Sequence, residues 1–144
     1  MSRVIFLDVD GVLNTKADWN RMYTLNLNCV SEFCHFAKRM QVDVVLTSSW
    51  RTGYSGGDGT DSEPICRLTE MLAKEGVRII GKTPDLGKRR AAEVERYLYY
   101  HPEVTEYIII DDDPAEFEKS IPGCYFVDAG TGFKDSKKIK MSKI

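Results

Sequence analysis

The sequence predicts a three-layer α/β fold, with a central parallel sheet and helices on both faces. Three observations predict it. Short, continuous apolar runs recur at Val4–Leu7, Val42–Leu46 and Tyr107–Ile110, and such runs suit strands covered on both sides. The segments between them carry apolar residues at helical spacing. Strands joined through helical crossovers pair in parallel. The 144 residues fit one domain, 1–144, long enough to bury a core without disulfide staples.

Each element follows in order. Val4–Leu7 is the first strand. A helix is predicted from Asn28, its N-cap, with Val30, Phe33, Cys34 and Ala37 at i, i+3, i+4, i+7 spacing. Val42–Leu46 is the second strand, and "TSSWRTGYSGGDGTDSEP" behind it, rich in Gly, Ser and Asp, reads as a long mobile loop. Pro64 suits the first turn of a helix that holds Ile65, Leu68 and Leu72 and stops at Gly76. Val77–Ile80 is a short third strand. Lys88–Tyr100 forms a helix with Ala91, Val94 and Leu98 on one face and Pro102 beyond its end. After the Tyr107–Ile110 strand, Asp113, Pro114 and Glu116 stand in capping-box register, so a short helix follows. "CYFV", Cys124–Val127, is the last strand.

Composition narrows the class. Hydrophobic residues make up 42% and charged residues 29% of the chain, an ordinary soluble balance. The net charge of −2 gives no broad basic field for nucleic acid or membrane, while leaving room for a local basic site. No apolar run approaches the roughly 20 residues that span a bilayer. Cys29, Cys34, Cys66 and Cys124 form no C-x-x-C pair, and the chain opens without a signal-peptide pattern. A cytoplasmic protein with reduced thiols is expected, Cys29 and Cys34 packing as small hydrophobes. No obligate protein partner is evident.

Ligands of open parallel sheets lie beyond the carboxyl ends of the strands, so the residues that follow each strand carry the chemistry. After the first come Asp8 and Asp10, on one side of an extended chain. After the second come Thr47, Ser48 and Ser49, with Trp50 and Arg51 behind them. After "YIII" come Asp111, Asp112 and Asp113, and the basic run Lys88, Arg89, Arg90 opens the helix before that strand. Several carboxylates in one place call for a cation, and hard oxygen donors with room for water suit Mg²⁺. A metal so held neutralises a phosphate and leaves one carboxylate free to attack phosphorus. Hydroxyls hold phosphoryl oxygens, and a Lys or Arg balances transition-state charge. Phosphoryl transfer through an aspartyl-phosphate uses all of these groups.

These residues resemble the haloacid dehalogenase (HAD) superfamily of phosphohydrolases. Asp8-Val9-Asp10-Gly11-Val12 after an apolar strand resembles its first motif, Thr47 after "VVL" its second, the basic helix start its third, and "IIIDDD" its fourth. "LTSSWR", "GKTP" and "RAAEVERYLYYHP" further resemble the capless HAD domain of multifunctional (Swiss Army Knife) RNA repair proteins. The resemblance covers essentially the whole chain and implies a three-layer Rossmann-like fold without a sizeable cap domain. It implies Asp8 as nucleophile and metal ligand. Asp10 would protonate the leaving oxygen and then activate water, its backbone carbonyl ligating Mg²⁺. Thr47 and Ser48, with Gly11, would bind the phosphoryl group, and Asp111 and Asp112 would hold the metal. Only a loop and one helix lie between Asn14 and Asp43, so the site is expected to be open to a phosphate on a large molecule, such as a nucleic acid end or a nucleotide. The Gly-rich loop Thr52–Ser62 closing over a smaller ligand is the other option.

Some assignments stay open at this level. Lys88, Arg89 and Arg90 project about 100° apart on a helix and cannot all reach one site. The superfamily's usual lysine points to Lys88, the subgroup's R-x-x-E pattern to Arg90 and Glu93, and Lys82 is a further candidate. Asp113 reads as a helix cap. Trp50 packs under the loop while Arg51 pairs with a surface carboxylate, or Arg51 reaches a second phosphate or substrate edge. His35 and His101 have no catalytic role, and the basic tail 134–144 is frayed and solvated, or its late lysines recruit a polyanion. A phosphoacceptor receiver would place its acceptor aspartate after a middle strand and its lysine last, which is not the order here. A glycosyltransferase D-x-D needs a nucleotide-binding half before it, and seven residues precede Asp8. A non-catalytic pseudo-phosphatase that binds phosphate or metal is the alternative of another class.

Overall fold

The computed structural model describes residues 2–56, 58–117 and 121–144. Six strands form one sheet: β1 (Ser2–Leu7), β2 (Asp43–Leu46), β3 (Ile79–Lys82), β4 (Val104–Asp111), β5 (Cys124–Phe126) and β6 (Ser142–Lys143). The order is β3-β2-β1-β4-β5, all parallel. Helices α1 (Leu27–Met40), α2 (Glu63–Lys74) and α3 (Arg90–Tyr100) complete the crossovers. The winding reverses between β1 and β4, which makes their carboxyl ends the switch point where such sheets bind ligands.

The alternation of β1 divides the core. Ile5 and Leu7 face a cluster with Phe33 and Phe36 of α1 and Leu68 and Leu72 of α2. Val4 and Phe6 face the opposite layer, with Ala91, Val94 and Tyr97 of α3. Val4, Ile5, Phe6 and Leu7 are all fully buried, so a continuous apolar run on a two-sided strand is what the fold requires.

Several boundaries move, each for a physical reason. The α1 cap is Asn26 rather than Asn28: its side chain accepts from the N–H groups of Asn28 (3.0 Å) and Cys29 (3.1 Å). Leu27, the first helical residue, is exposed, which hid the true start from the apolar pattern. β3 begins at Ile79 because Val77 N–H still closes α2 on Leu72 O at 3.0 Å. The α3 helix begins at Arg90 rather than Lys88, its N–H capped by Glu116 Oε2 at 3.0 Å. Tyr97 joins Ala91 and Val94 on its buried face, with Leu98 half-buried against the same cluster. Asp113 does cap Pro114–Glu116, a 3-10 turn, through Ala115 N–H at 3.1 Å, while Glu116 is spent on α3 instead of a reciprocal capping box.

The segment read as one long loop contains a 3-10 helix, Ser49–Gly53, that buries Trp50 and Arg51. The tail is not frayed: Ile139 is buried, and β6 pairs antiparallel with Glu106–Tyr107 of β4. β5 and β6 thus share one edge of β4, covering backbone groups that an edge strand would leave open.

Candidate active site

β1 delivers the first carboxylate. Its ladder continues past the strand, Asp8 N–H donating to Ile110 O at 3.0 Å, so Asp8 is fixed at the mouth of the sheet and is 2% exposed. β4 ends on the fully buried Asp111, whose Oδ1 accepts from Asp113 N–H at 3.0 Å. Arg90 lies across both: its Nη1 is 3.0 Å from Asp8 Oδ1 and 2.8 Å from Asp111 Oδ2. Carboxylate oxygens of Asp8, Asp111 and Asp112 all lie within 4.8 Å of one another. Asp112 comes this close because residue 11 is glycine. Gly11 has φ +85°, and a Cβ there would stand 2.2 Å from Asp112 Oδ2.

Burial pushes the Asp8 carboxyl well above the usual carboxylate range, the Asp111 charge adds to this, and Arg90 offsets part of it. Burial likewise pushes Asp111 up to about 6 against the pull of Arg90. Burial alone would pull the Arg90 guanidinium down, but Asp8 and Asp111 hold it above its ordinary value. One guanidinium does not balance three carboxylates. The donors are all oxygen, the set a hard divalent cation takes, so Asp8, Asp111 and Asp112 can hold a metal ion.

The Asp10 carboxylate stands outside this cluster. Its Oδ1 accepts from Asn14 Nδ2 at 2.9 Å and from Trp50 Nε1 at 3.2 Å. Asn14 is a buried organiser: its Oδ1 also accepts from Gly11 N–H at 2.8 Å and Trp19 Nε1 at 2.9 Å. The Gly11 amide is therefore committed within the chain, and its missing side chain is what the site uses.

Thr47 follows β2, its N–H bonded to Leu7 O at 3.0 Å. Its Oγ1 is buried with no hydrogen-bond partner among the described residues, an arrangement that costs stability unless a ligand completes it. Ser48 Oγ accepts from Trp50 N–H at 3.1 Å and caps the 3-10 helix. Arg51 follows neither sequence alternative cleanly. Its Nη1 donates to Thr47 O at 2.7 Å and Thr83 Oγ1 at 3.3 Å, and its Nη2 is 3.1 Å from the buried Glu93. The exposed Asp85 is farther, at 3.5 Å. With its guanidinium committed inward, Arg51 fixes the backbone of Thr47 from behind.

Among the candidate cations, Arg90 reaches the carboxylates. Lys88 is exposed in the turn before α3, outside the cluster, because the helix starts two residues later than its composition suggests. Arg89 holds the cap position of α3. Lys82 Nζ donates to Arg51 O (3.1 Å) and Tyr54 O (2.8 Å), tying down the 3-10 helix. His35 pairs at the surface with Asp135, and His101 stacks on Tyr97 at the end of α3. Asp8, Asp10, Lys16, Arg90 and Asp112 line an open cleft of about 730 Å³.

Sequence reasoning missed Asn14 and Trp50 as the residues that hold Asp10. The asparagine in "DGVLN" was the available signal for the first. For Trp50 there was none, because its contact depends on a 3-10 turn. Glu93 was visible only as the last letter of R-x-x-E, without its partner Arg51.

Among the described residues, no helix is long and apolar enough to cross a membrane. The family model described as the HAD domain in Swiss Army Knife RNA repair proteins matches residues 4–137. No curated protein and no solved structure matches the chain.

Proposed function

Because the chain belongs to the HAD domain family of Swiss Army Knife RNA repair proteins, we propose that it is a Mg²⁺-dependent phosphomonoesterase working through an aspartyl-phosphate on Asp8. The observation that carries this is the meeting of Asp8, Asp111 and Asp112 under Arg90 at the switch point. Asp8, Asp111 and Asp112, with the Asp10 carbonyl, would hold the ion. Bound there, it supplies the positive charge that three carboxylates and a phosphate otherwise lack.

The residues then divide the work. An Asp8 carboxylate oxygen attacks phosphorus and the bond from phosphorus to the substrate oxygen breaks. That oxygen keeps the electron pair and takes a proton from Asp10. In the second half, water attacks the phosphorus of the aspartyl-phosphate, Asp10 accepts its proton, and Asp8 leaves as a carboxylate. The unpartnered Thr47 hydroxyl, backed by Ser48, donates to a phosphoryl oxygen, and Arg90 balances charge that builds on the transferring group. Asn14 and Trp50 both donate to the Asp10 carboxylate and so fix where it stands for the two proton steps.

The substrates proposed are phosphorylated nucleic acid ends or nucleotides, from the family's link to RNA repair and from the open cleft. Four free cysteines fit a reducing, cytoplasmic setting. The test is phosphate release from para-nitrophenyl phosphate and from 3′- and 5′-phosphorylated oligonucleotides, in Mg²⁺ and in EDTA, for wild type and Asp8→Asn. Metal-dependent turnover that Asp8→Asn abolishes is the expected result. Mg²⁺ binding without turnover on any of them would favour a non-catalytic binding module.

A further inference from the structure

Asp10 is the shared wall of two cavities. One is the cleft that holds the carboxylates. The other, about 410 Å³, is lined by Asp10, Trp19, Arg21, Tyr23 and Trp50. Trp19 also lines both. The oxygen that leaves phosphorus must stand beside Asp10 to be protonated, and the second cavity opens on the other side of that residue.

That cavity is built from aromatic rings held at their edges. Trp19 Nε1 is tied to Asn14 at 2.9 Å, and Trp50 Nε1 to Asp10 at 3.2 Å. Tyr23 packs edge-on against Trp50, with ring centroids 5.1 Å apart at 78°. Yet Trp19 and Tyr23 remain 45% and 42% exposed. Tyr23 also sits at φ 58°, a left-handed conformation that a bulky residue seldom adopts. Tyr23 takes this conformation within a turn that sets its ring against Trp50 at the cavity.

Resting on the phosphomonoesterase reading above, we propose that this cavity seats the leaving group and that the leaving group is a nucleoside. Its base stacks against Trp19 and Tyr23, its sugar oxygen meets Asp10, and Arg21 faces the next phosphate of a strand. Flat rings reward a flat π system and offer little to an aliphatic alcohol. A phosphotyrosine ring is flat too, but a strand carries a further phosphate for Arg21 and a peptide side chain does not. The substrate class is then a terminal phosphate on a nucleotide or polynucleotide, recognised by stacking and therefore with little preference among bases.

The experiment compares kcat/KM for a phosphorylated oligonucleotide end, glycerol 2-phosphate and a phosphotyrosine peptide in wild type, Tyr23→Ala and Tyr23→Phe. Wild type prefers the oligonucleotide, Tyr23→Ala lowers the oligonucleotide-to-glycerol-phosphate ratio about tenfold, and Tyr23→Phe keeps it. An unchanged ratio in Tyr23→Ala, or a preference for the peptide, overturns the proposal. A second measurement stands apart from turnover: adenosine, which has no phosphate, titrated into each protein with tryptophan fluorescence as readout. Saturable quenching that Tyr23→Ala loses and Tyr23→Phe keeps supports the cavity assignment even if no phosphomonoester is hydrolysed. No saturable quenching in wild type overturns it, even if the enzyme is active on other phosphates.

Discussion

Arg90 stands with Nη1 3.0 Å from Asp8 Oδ1, although 82 residues separate them in the chain. The pair forms because Glu116, from the 3-10 turn after β4, fixes the first turn of α3 at Arg90. The same nitrogen reaches Asp111 at 2.8 Å, so one guanidinium serves two strand ends.

The first prediction concerns that guanidinium. Arg90→Met lowers kcat on any phosphomonoester by about 10²–10³, the cost of removing one preorganised donor from a developing charge. Arg90→Lys recovers part of it, because a point charge remains without the fork geometry. Lys88→Ala stays within about threefold of wild type, since an exposed charge outside the cluster is screened. Steady-state rates of the three variants check this.

Trp50→Phe keeps the buried ring and removes the donor to Asp10. General acid catalysis matters most when the leaving oxygen is a poor one. The variant therefore loses about tenfold in kcat/KM on an alkyl or sugar phosphate, while para-nitrophenyl phosphate changes much less. Equal losses on both substrates would show that Trp50 acts on the fold rather than on Asp10.

Glu93→Gln leaves the Arg51 guanidinium buried with a weaker partner. Breaking a buried ion pair costs about 3–5 kcal/mol, and at about 2–4 °C per kcal/mol for a chain near this length the melting temperature falls by roughly 6–20 °C. Thermal unfolding checks it. Arg51 holds the Thr47 carbonyl, so surviving protein should also show a raised KM.

The two buried carboxylates give a pH signature. Asp111 is pushed up to about 6 and Asp8 is also raised, burial being the first cause for both. Between an unfolded value of about 3.9 and those folded values the native state binds more protons, so metal-free stability falls as pH rises through that window. Metal binding needs the deprotonated carboxylates. The rise in melting temperature on adding Mg²⁺ should therefore be small near pH 5 and larger near pH 7.5, measured against EDTA.

Much of this was legible in the sequence. Asp8, Thr47 and Asp111 each end an apolar strand, and a parallel sheet brings strand ends together whatever the loops do. The motif resemblance assigns Gly11 to the phosphate, while in the structure its missing side chain admits Asp112. The choice of Arg90 over Lys88 was not legible, because the residue that sets the helix start, Glu116, lies beyond the next strand. The bond from Trp50 to Asp10 was hidden for a similar reason: 40 residues separate the partners, and a 3-10 turn within a Gly- and Ser-rich stretch aims the indole. Tail residues 142–143 join the sheet through pairing with β4, which local charge density does not reveal.

The central claim is that Asp8 carries the phosphoryl group. The most direct measurement is acid quenching during turnover with Mg²⁺, followed by peptide mass spectrometry of wild type and Asp8→Asn. A phosphorylated peptide whose modification maps to Asp8, absent from an inactive Asp8→Asn protein, is the result expected. Turnover that persists in Asp8→Asn, or a phosphoryl group found on another residue, would contradict it.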